Sequence, residues 1–263
     1  MRVKNYSLIL GEAVTAAVVL FILLGFFWKP YDPNALDPAM KMAPPTSAHI
    51  MGTDNFGRDI FSRVLVGAGT TLSIAAIIVA IGAFVGMLAG SVTGYFGGIA
   101  DSVLMRICDT LTAFPSILLA LVVISFTGPG KTSLIIALGL LFIPSFTRIV
   151  RAEYARQKNL DYVVSARLMG CSHVRVMIVH ILPNTRSVLL SSIAIGFNNA
   201  VLAEASMSFL GVGVQRPEAS LGSMLSDAQA YMLSAPWYML FAGIAISLLI
   251  LGFGLLSDGL RED

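Results

Sequence analysis

Charged residues are distributed very unevenly along this chain of 263 residues, and long stretches contain none. These stretches lie between Glu12 and Lys29, Arg63 and Asp101, Asp109 and Lys131, Lys131 and Arg148, Arg186 and Glu204, and Asp227 and Asp258. A membrane-spanning helix needs roughly 20 mostly apolar residues, and cations that flank a shorter stretch can extend to the headgroups. Because lipid cannot satisfy an open strand edge, the pattern predicts an all-α polytopic membrane protein with six transmembrane helices.

The composition excludes several classes of protein. Hydrophobic residues make up 56% of the chain and charged residues only 12%, whereas a soluble domain is about a quarter charged. An ordinary soluble enzyme and a disordered protein are therefore excluded. The net charge of +2 gives no indication of a nucleic-acid partner. The two cysteines form no CxxC and the three histidines no HExxH, so no metal site is predicted.

The distribution of Lys and Arg predicts the orientation. Basic residues concentrate between residues 148 and 186, and such segments stay in the cytoplasm. Six spans then place both termini in the cytoplasm. We predict an N-terminus and first helix over 1–28, an extracytoplasmic segment over 29–68, and a five-helix core over 69–263 with a cytoplasmic loop at 151–186. We expect the first helix to be retained rather than cleaved. Bulky residues end its apolar stretch, and no small-x-small cleavage site follows.

The cytoplasmic loop is patterned rather than merely polar. Its sequence predicts a short helix capped by Asn159 or Asp161, a turn at Gly170, and a second helix that Pro183 ends. In the second helix one apolar face is predicted, formed by Val174, Met177, Ile178 and Ile181. This composition fits a docking element and, equally, a surface helix on the headgroups anchored by Arg167 and Arg175.

The same loop resembles the coupling motif of ABC importer permeases, written roughly E-A-A-x-x-x-G-x(9)-I-x-L-P. Val164, Ser165 and Ala166 occupy the E-A-A positions, Gly170 has the required spacing, and Leu182-Pro183 closes the motif. The sequence departs from the motif at its first two positions, where Val164 replaces the glutamate and Ser165 the first alanine. In the dipeptide, oligopeptide and nickel branch of the family, the sequence of this stretch is close to DYVxAARxLG…HILPN. The chain matches this pattern at most positions.

Further stretches resemble the same branch. HIMGTDNFGRDIFSRV, at residues 49–64, is similar to H-x-L-G-T-D-x-x-G-R-D-x-x-S-R. EASMSFLGVGVQRPEASLGSML, at residues 204–225, is similar to E-A-S-L-S-F-L-G-L-G…P…W-G-x-M-L, with Leu221 in place of the Trp. The ending LLSDGLRED is similar to N-L-L-G-D-x-L-R-D. The chain therefore resembles the second permease subunit of these importers, and the type I permease fold is expected.

The resemblance implies a function and a set of partners. A prokaryotic inner-membrane permease of this kind pairs with a second permease, two ABC ATPase subunits and an extracytoplasmic substrate-binding protein. The chain itself then does no chemistry and binds no cofactor, because the ATPases bind ATP and Mg²⁺. Di- or oligopeptides are the expected substrates, since the predicted pathway is neutral and lacks ligand clusters. Nickel or metal chelates remain the alternative.

The resemblance also implies two groups of functional residues. The ATPase-coupling group comprises Asp161, Tyr162, Val164, Ser165, Ala166, Arg167, Met169, Gly170, Leu182 and Pro183. The extracytoplasmic group comprises Thr53, Asp54, Arg58, Asp59, Glu204, Ser206 and Phe209. In the second group, Asp54 or Asp59 can pair with Arg58 or Arg63, which favours a structural clip over substrate contact. Glu204, near the outer end of the fifth span, is either a pathway residue or a partner for a cation in a neighbouring subunit.

Other motifs carry weaker hypotheses. GPGKT, at residues 128–132, lacks the first glycine of a phosphate-binding loop and is interpreted as a helix-breaking turn. Glycines four residues apart from Gly82 to Gly98 predict a close helix-packing face. A stand-alone secondary carrier remains the second hypothesis, although no inverted repeat is visible. An intramembrane enzyme is disfavoured because no span contains a histidine or an acidic pair.

Overall fold

A computed structural model describes residues 6–262, with the side chains of residues 13–17, 20–25 and 27–255. The predicted cytoplasmic N-terminal residues 1–5 and the final residue 263 lie outside this range. Within it the named elements are all helical, and one isolated β-bridge joins Thr53 to Asp59. The α-helices are α1 Tyr6–Phe27, α2 Ile60–Phe96, α3 Gly98–Thr112, α4 Ser116–Thr127, α5 Lys131–Gln157, α6 Asp161–Leu168, α7 His173–Arg175, α8 Arg186–Phe209, α9 Leu221–Gln229 and α10 Pro236–Glu262.

Four helical stretches are long and apolar enough to cross a membrane, namely Ile60–Phe96, Lys131–Gln157, His173–Phe209 and Pro236–Leu255. A fifth crossing results if α3 and α4 count as one broken span, and Ala13–Gly25 in α1 is a shorter apolar helix. These elements coincide with the uncharged stretches of the sequence. The chain is therefore an all-helical multi-pass membrane protein with about four or five such helices.

The third predicted span is not a straight helix. The stretch from Asp109 to Lys131 contains only the end of α3 together with all of α4, and these two helices meet at 89°. The break falls at Phe114-Pro115, because proline has no N–H for the helical ladder and disfavours helical backbone in the residue before it. As a result α4 alone carries the apolar sequence, while α3 is amphipathic and is held to α5 by ion pairs from Asp101 to Arg151 and from Asp109 to Arg148.

The glycine stripe of α2 packs against α5, as the spacing predicts. A β-carbon added at Gly86 would lie 2.6 Å from the β-carbon of Phe146, and one at Gly90 would lie 2.9 Å from the β-carbon of Val150. The backbones of the two helices approach too closely for a larger side chain at these positions. The α2–α5 pair is consequently the rigid centre of the fold. The segment before α2, at residues 40–59, lies at one end of the pair, and the loop at residues 151–186 lies at the other.

Candidate functional site

Helix α6 is anchored by two buried residues on one of its sides. Val163 and Ala166 are buried in a small apolar cluster that joins the ends of α2 and α5 to the segment after α7. The other members of this cluster are Tyr95, Val150, Tyr154, Val176, Met177 and Ile181. Any displacement of α6 must therefore displace the ends of two long helices with it.

The opposite side of α6 is apolar and exposed. Val164 is 41% exposed, Leu168 84% and Met169 77%. Asp161, Tyr162, Ser165 and Arg167 are exposed beside them. Large apolar side chains in such a group, rimmed by polar residues, are typical of a protein-interaction surface. Val164 and Met169 of the predicted coupling group therefore lie on an accessible surface.

Gly170 ends α6 in a left-handed turn, as predicted. Its φ is +83°, and the amides of Gly170 and Cys171 donate to the carbonyls of Arg167 (2.9 Å) and Ala166 (3.1 Å). This pair of hydrogen bonds is the Schellman pattern, which requires a residue that tolerates positive φ. No other group lies within 4 Å of the position a β-carbon would take. The requirement for glycine is therefore conformational rather than one of space.

Polar contacts fix this loop to both long helices. The guanidinium of Arg167 lies over the ring of Tyr95, 4.9 Å from its centre, and the hydroxyl of Tyr95 is 2.9 Å from Nδ1 of His173. The hydroxyl of Tyr162 donates to the side-chain oxygen of Gln157, at the end of α5. The prediction that Asn159 or Asp161 caps this helix is wrong. The N-cap residue of α6 is Leu160, whose side chain makes no capping hydrogen bond, and Asp161 is the first residue of the helix.

The segment after Gly170 differs from the prediction. Pro183 does not end a helix there; the chain stays helical from His173 to Phe209, passing through a π-helix at Val176–Ile181 and a 3₁₀ turn at Leu182–Thr185. These wider and tighter turns accommodate a proline without N–H. The side-chain amide of Asn184 donates to the carbonyl of His180 at 2.6 Å.

The π-helix also changes the apolar face of this segment. The predicted face joined Val174, Met177, Ile178 and Ile181, but Val174 and Ile178 are exposed, whereas Val176 is buried with Met177 and Ile181. A π-helix holds more residues per turn than an α-helix, and this rotates the side chains away from the pattern expected at 3.6 residues per turn. Leu182 is half-buried and Pro183 exposed.

A buried polar cluster occupies the other end of α2. One oxygen of Asp54 accepts from the amides of Phe56 (2.8 Å) and Arg58 (2.9 Å). The second oxygen lies 2.6 Å from Nε of Arg58 and 3.7 Å from Nε of Arg63. All three charged side chains are buried. Of the predicted alternatives, Asp54 rather than Asp59 lies beside the arginines, and it is close to both of them.

Asp59 and Thr53 complete this clip. Asp59 caps α2 by accepting from the amide of Ser62 at 2.8 Å, and its other oxygen is 2.9 Å from Nδ1 of His49. The hydroxyl of Thr53 donates to the carbonyl of Met40 and accepts from the amide of Ala43 at 2.9 Å. These contacts hold residues 40–59 to the start of α2, which is the geometry of a structural clip.

One partner of the clip, Asp227, was not predicted from the sequence. Asp227 in α9 lies 3.8 Å from Nη2 of Arg58 and also pairs with Arg216, whose pKa it raises by hydrogen bonding. Both guanidiniums lie over the ring of Phe56, at 4.7 and 5.2 Å from its centre. Asp227 is separated from Arg58 by most of the chain, so no local pattern indicates the contact.

Glu204, Ser206 and Phe209 do not form one surface. Glu204 is completely buried, and one of its oxygens accepts from the hydroxyl of Ser208 at 2.7 Å. That hydroxyl in turn accepts from the amide of Val214 at 3.1 Å, so the carboxyl supports the turn after α8. Ser206 is half-buried and donates to the carbonyl of Leu202 in its own helix at 2.8 Å, and Phe209 is half-buried.

Comparison with known proteins agrees with this architecture. Residues 82–262 match the model of the family described as binding-protein-dependent transport system inner membrane component. A putative peptide transport system permease protein of Brucella abortus is 41% identical over 259 residues, covering 98% of this chain and 87% of that protein. The glutathione transport system permease protein of Pectobacterium atrosepticum is 40% identical over 261 residues, covering 96% and 87%. The dipeptide transport system permease protein of Haemophilus influenzae is 34% identical over 265 residues, covering 98% and 90%.

The extent of these matches places the chain in a protein class. It belongs to the family of binding-protein-dependent transport system inner membrane components, which are the permeases of ABC importers. It is a multi-pass protein of the bacterial inner membrane and a transport subunit rather than an enzyme. Permeases of these systems work with ATPase and substrate-binding partners.

Proposed function

We propose that this chain is one of two permease subunits in an ATP-driven importer of di- or oligopeptides, and that α6 docks on an ATPase subunit. The observation that carries the proposal is the two-sided character of α6. Its exposed apolar side is suited to a partner, while Val163 and Ala166 on its other side are buried against the ends of α2 and α5. A force applied to the exposed side is transmitted directly to the membrane helices.

The residues of the loop take distinct roles in this mechanism. Val164, Leu168 and Met169 insert into the partner, and Asp161, Ser165 and Arg167 form the polar rim. Tyr162, Ala166 and Gly170 fix the orientation of α6, and Leu182 and Pro183 connect it to α8. With Val164 in place of glutamate, this surface recognises the ATPase by apolar contact at that position rather than by charge.

The wider assembly follows from the family. Six spans with both termini in the cytoplasm put the loop at 151–186 on the ATPase side and the clip of Asp54, Arg58 and Asp59 on the outer side. Two ATPases bind ATP and Mg²⁺, a second permease completes the pathway, and a binding protein delivers substrate. Relatives named as peptide, dipeptide and glutathione permeases support a peptide substrate.

Reconstitution tests this function. The complex is purified through a tag on this chain and placed in liposomes with the binding protein, and uptake of a labelled tripeptide is measured with and without ATP on the ATPase side. The proposal predicts uptake only with ATP. Uptake of nickel but not of peptide under the same conditions would replace the substrate while leaving the ATP-driven mechanism in place.

A further inference from the structure

A cavity of about 320 Å³ lies between α4, α5 and α8. Its lining residues run from Leu138 to Ile149 on α5 and from Ser192 to Met207 on α8, at helical spacing. With a rise of about 1.5 Å per residue, the two faces are roughly 16 Å and 22 Å long. They therefore follow the helices through more than half of a hydrocarbon core of about 30 Å.

The floor of this groove depends on a close helix contact. The ring of Phe146 on α5 lies 2.7 Å from the position that a β-carbon on Gly196 of α8 would occupy. The absence of a side chain at Gly196 therefore lets α5 and α8 approach closely at Phe146, and the cavity lies to one side of that contact. The groove is consequently a fixed concave surface between two packed helices.

Four polar side chains line this otherwise apolar groove, namely those of Ser116 on α4, Ser145 on α5, and Ser192 and Asn199 on α8. Ser145 and Asn199 are exposed, and Ser192 is half-buried with its hydroxyl 2.6 Å from the carbonyl of Val188. None of the described residues that line the groove is charged. Polar side chains within a membrane face protein or water rather than lipid, so this pattern indicates a surface that water or a polar solute reaches.

We propose that this groove is the wall along which the peptide backbone passes, with Ser145, Ser192 and Asn199 as successive hydrogen-bonding groups. A peptide backbone is neutral and presents both N–H and C=O groups, and hydroxyl and amide side chains can donate to and accept from it. The rest of the groove surface is apolar and uncharged, so it can accept varied side chains of the peptide without binding any of them through an ion pair. This inference rests on the proposed peptide-import function.

Cysteine accessibility tests the location of the groove. In a complex whose chain carries Cys108→Ala and Cys171→Ala, Ser192→Cys or Asn199→Cys is treated with a charged thiol reagent. Leu240→Cys is the matched control, because Leu240 is 57% exposed on α10 and does not line the cavity. We expect Asn199→Cys and Ser192→Cys to react, transported peptide to slow that reaction, and Leu240→Cys to stay unlabelled. Unreactive cysteines at 192 and 199 in an importing complex would overturn the inference.

A charge placed in the groove tests contact with the substrate. Asn199→Asp should raise the ratio of import of a lysine-containing to a glutamate-containing tripeptide by about tenfold, an effect expected for charges within ~10 Å of each other in a partly shielded site. Asn199→Ser keeps the groove uncharged and should leave that ratio unchanged. An unchanged ratio in an active Asn199→Asp complex contradicts the inference. Absence of ATP-driven peptide uptake by the parent complex instead contradicts the proposed function, and with it the assignment of a peptide to this groove.

Discussion

Single residues in this chain have roles that their surroundings define. Gly170 has a left-handed φ with open space around it, so its function is to turn the chain. Asp54 is buried between Arg58 and Arg63, so its function is to hold the segment before α2 in place. Both roles were accessible from the sequence, because each depends on neighbours within a few positions of the residue.

Replacement of Gly170 tests the turn. Gly170→Asp forces a β-carbon into a left-handed backbone, at a cost of ~1–2 kcal/mol, and adds a charge beside the exposed side of α6. We expect normal assembly with ATP hydrolysis no longer coupled to import, measured as the ratio of ATP hydrolysed to peptide imported. Gly128→Asp is the matched control, because Gly128 has φ +82° and equally open surroundings outside the coupling loop. Normal import by Gly170→Asp would contradict the role of α6.

Replacement of Asp54 tests the clip. Asp54→Ala removes the carboxylate beside the buried guanidinium of Arg63 and leaves Arg58 with Asp227 alone. Breaking a buried pair in this way costs ~3–5 kcal/mol. We expect a marked fall in the thermal unfolding midpoint in detergent, whereas Asp32→Ala, at an exposed carboxylate, should change little. A variant of Asp54 that is fully stable but fails to import would instead indicate substrate contact.

At the scale of elements, the fold depends on how closely helices approach and where they bend. The glycine face of α2 was predictable because its spacing repeats within one helix. Two irregularities could not be predicted, namely the bend between α3 and α4 and the π-helix after α7. Proline permits such irregularities, but contacts elsewhere in the chain decide their form. The segment from Val176 to Ile181 is wound so that three residues enter the cluster around Tyr154.

The helix contact can be tested by overpacking. Gly90→Val should destabilise the chain by ~1–3 kcal/mol or more, because its side chain would meet the carbonyl of Thr147 and the β-carbon of Val150. Gly243→Val on α10 is the control, since none of the groups that the structure describes lies within 4 Å of the position of an added β-carbon there. Equal unfolding midpoints for the two variants in detergent would show that α2 and α5 do not pack as described.

The exposed side of α6 can be tested as a docking surface. Leu168→Ser removes a large side chain that makes little contact within the chain, so the unfolding midpoint should be unchanged. Loss of a central apolar contact costs ~1–2 kcal/mol or more in an interface, which should lower recovery of ATPase subunits with the tagged chain by about tenfold. Leu233→Ser, at another exposed leucine outside the coupling loop, should leave recovery unchanged. Full recovery with Leu168→Ser would place the ATPase contact elsewhere.

At the scale of the whole molecule, the packed pair α2 and α5 joins the buried polar clip around Asp54 to the exposed helix α6. The all-helical, multi-pass nature of the chain followed from the uncharged stretches of the sequence, and the motifs indicated the family that the comparisons establish. Contacts that join distant parts of the chain could not be predicted, as the pairing of Asp227 with Arg58 shows. The same holds for the groove between α5 and α8, whose polar residues carry no motif.

The most direct test of the central claim is ATP-dependent peptide uptake by liposomes that contain the complex purified through this chain. The account predicts that labelled tripeptide accumulates only when ATP and the binding protein are both present, and that Leu168→Ser abolishes the dependence of ATP hydrolysis on peptide. Transport by this chain alone, without ATP and without ATPase subunits, would contradict the account and identify a secondary carrier.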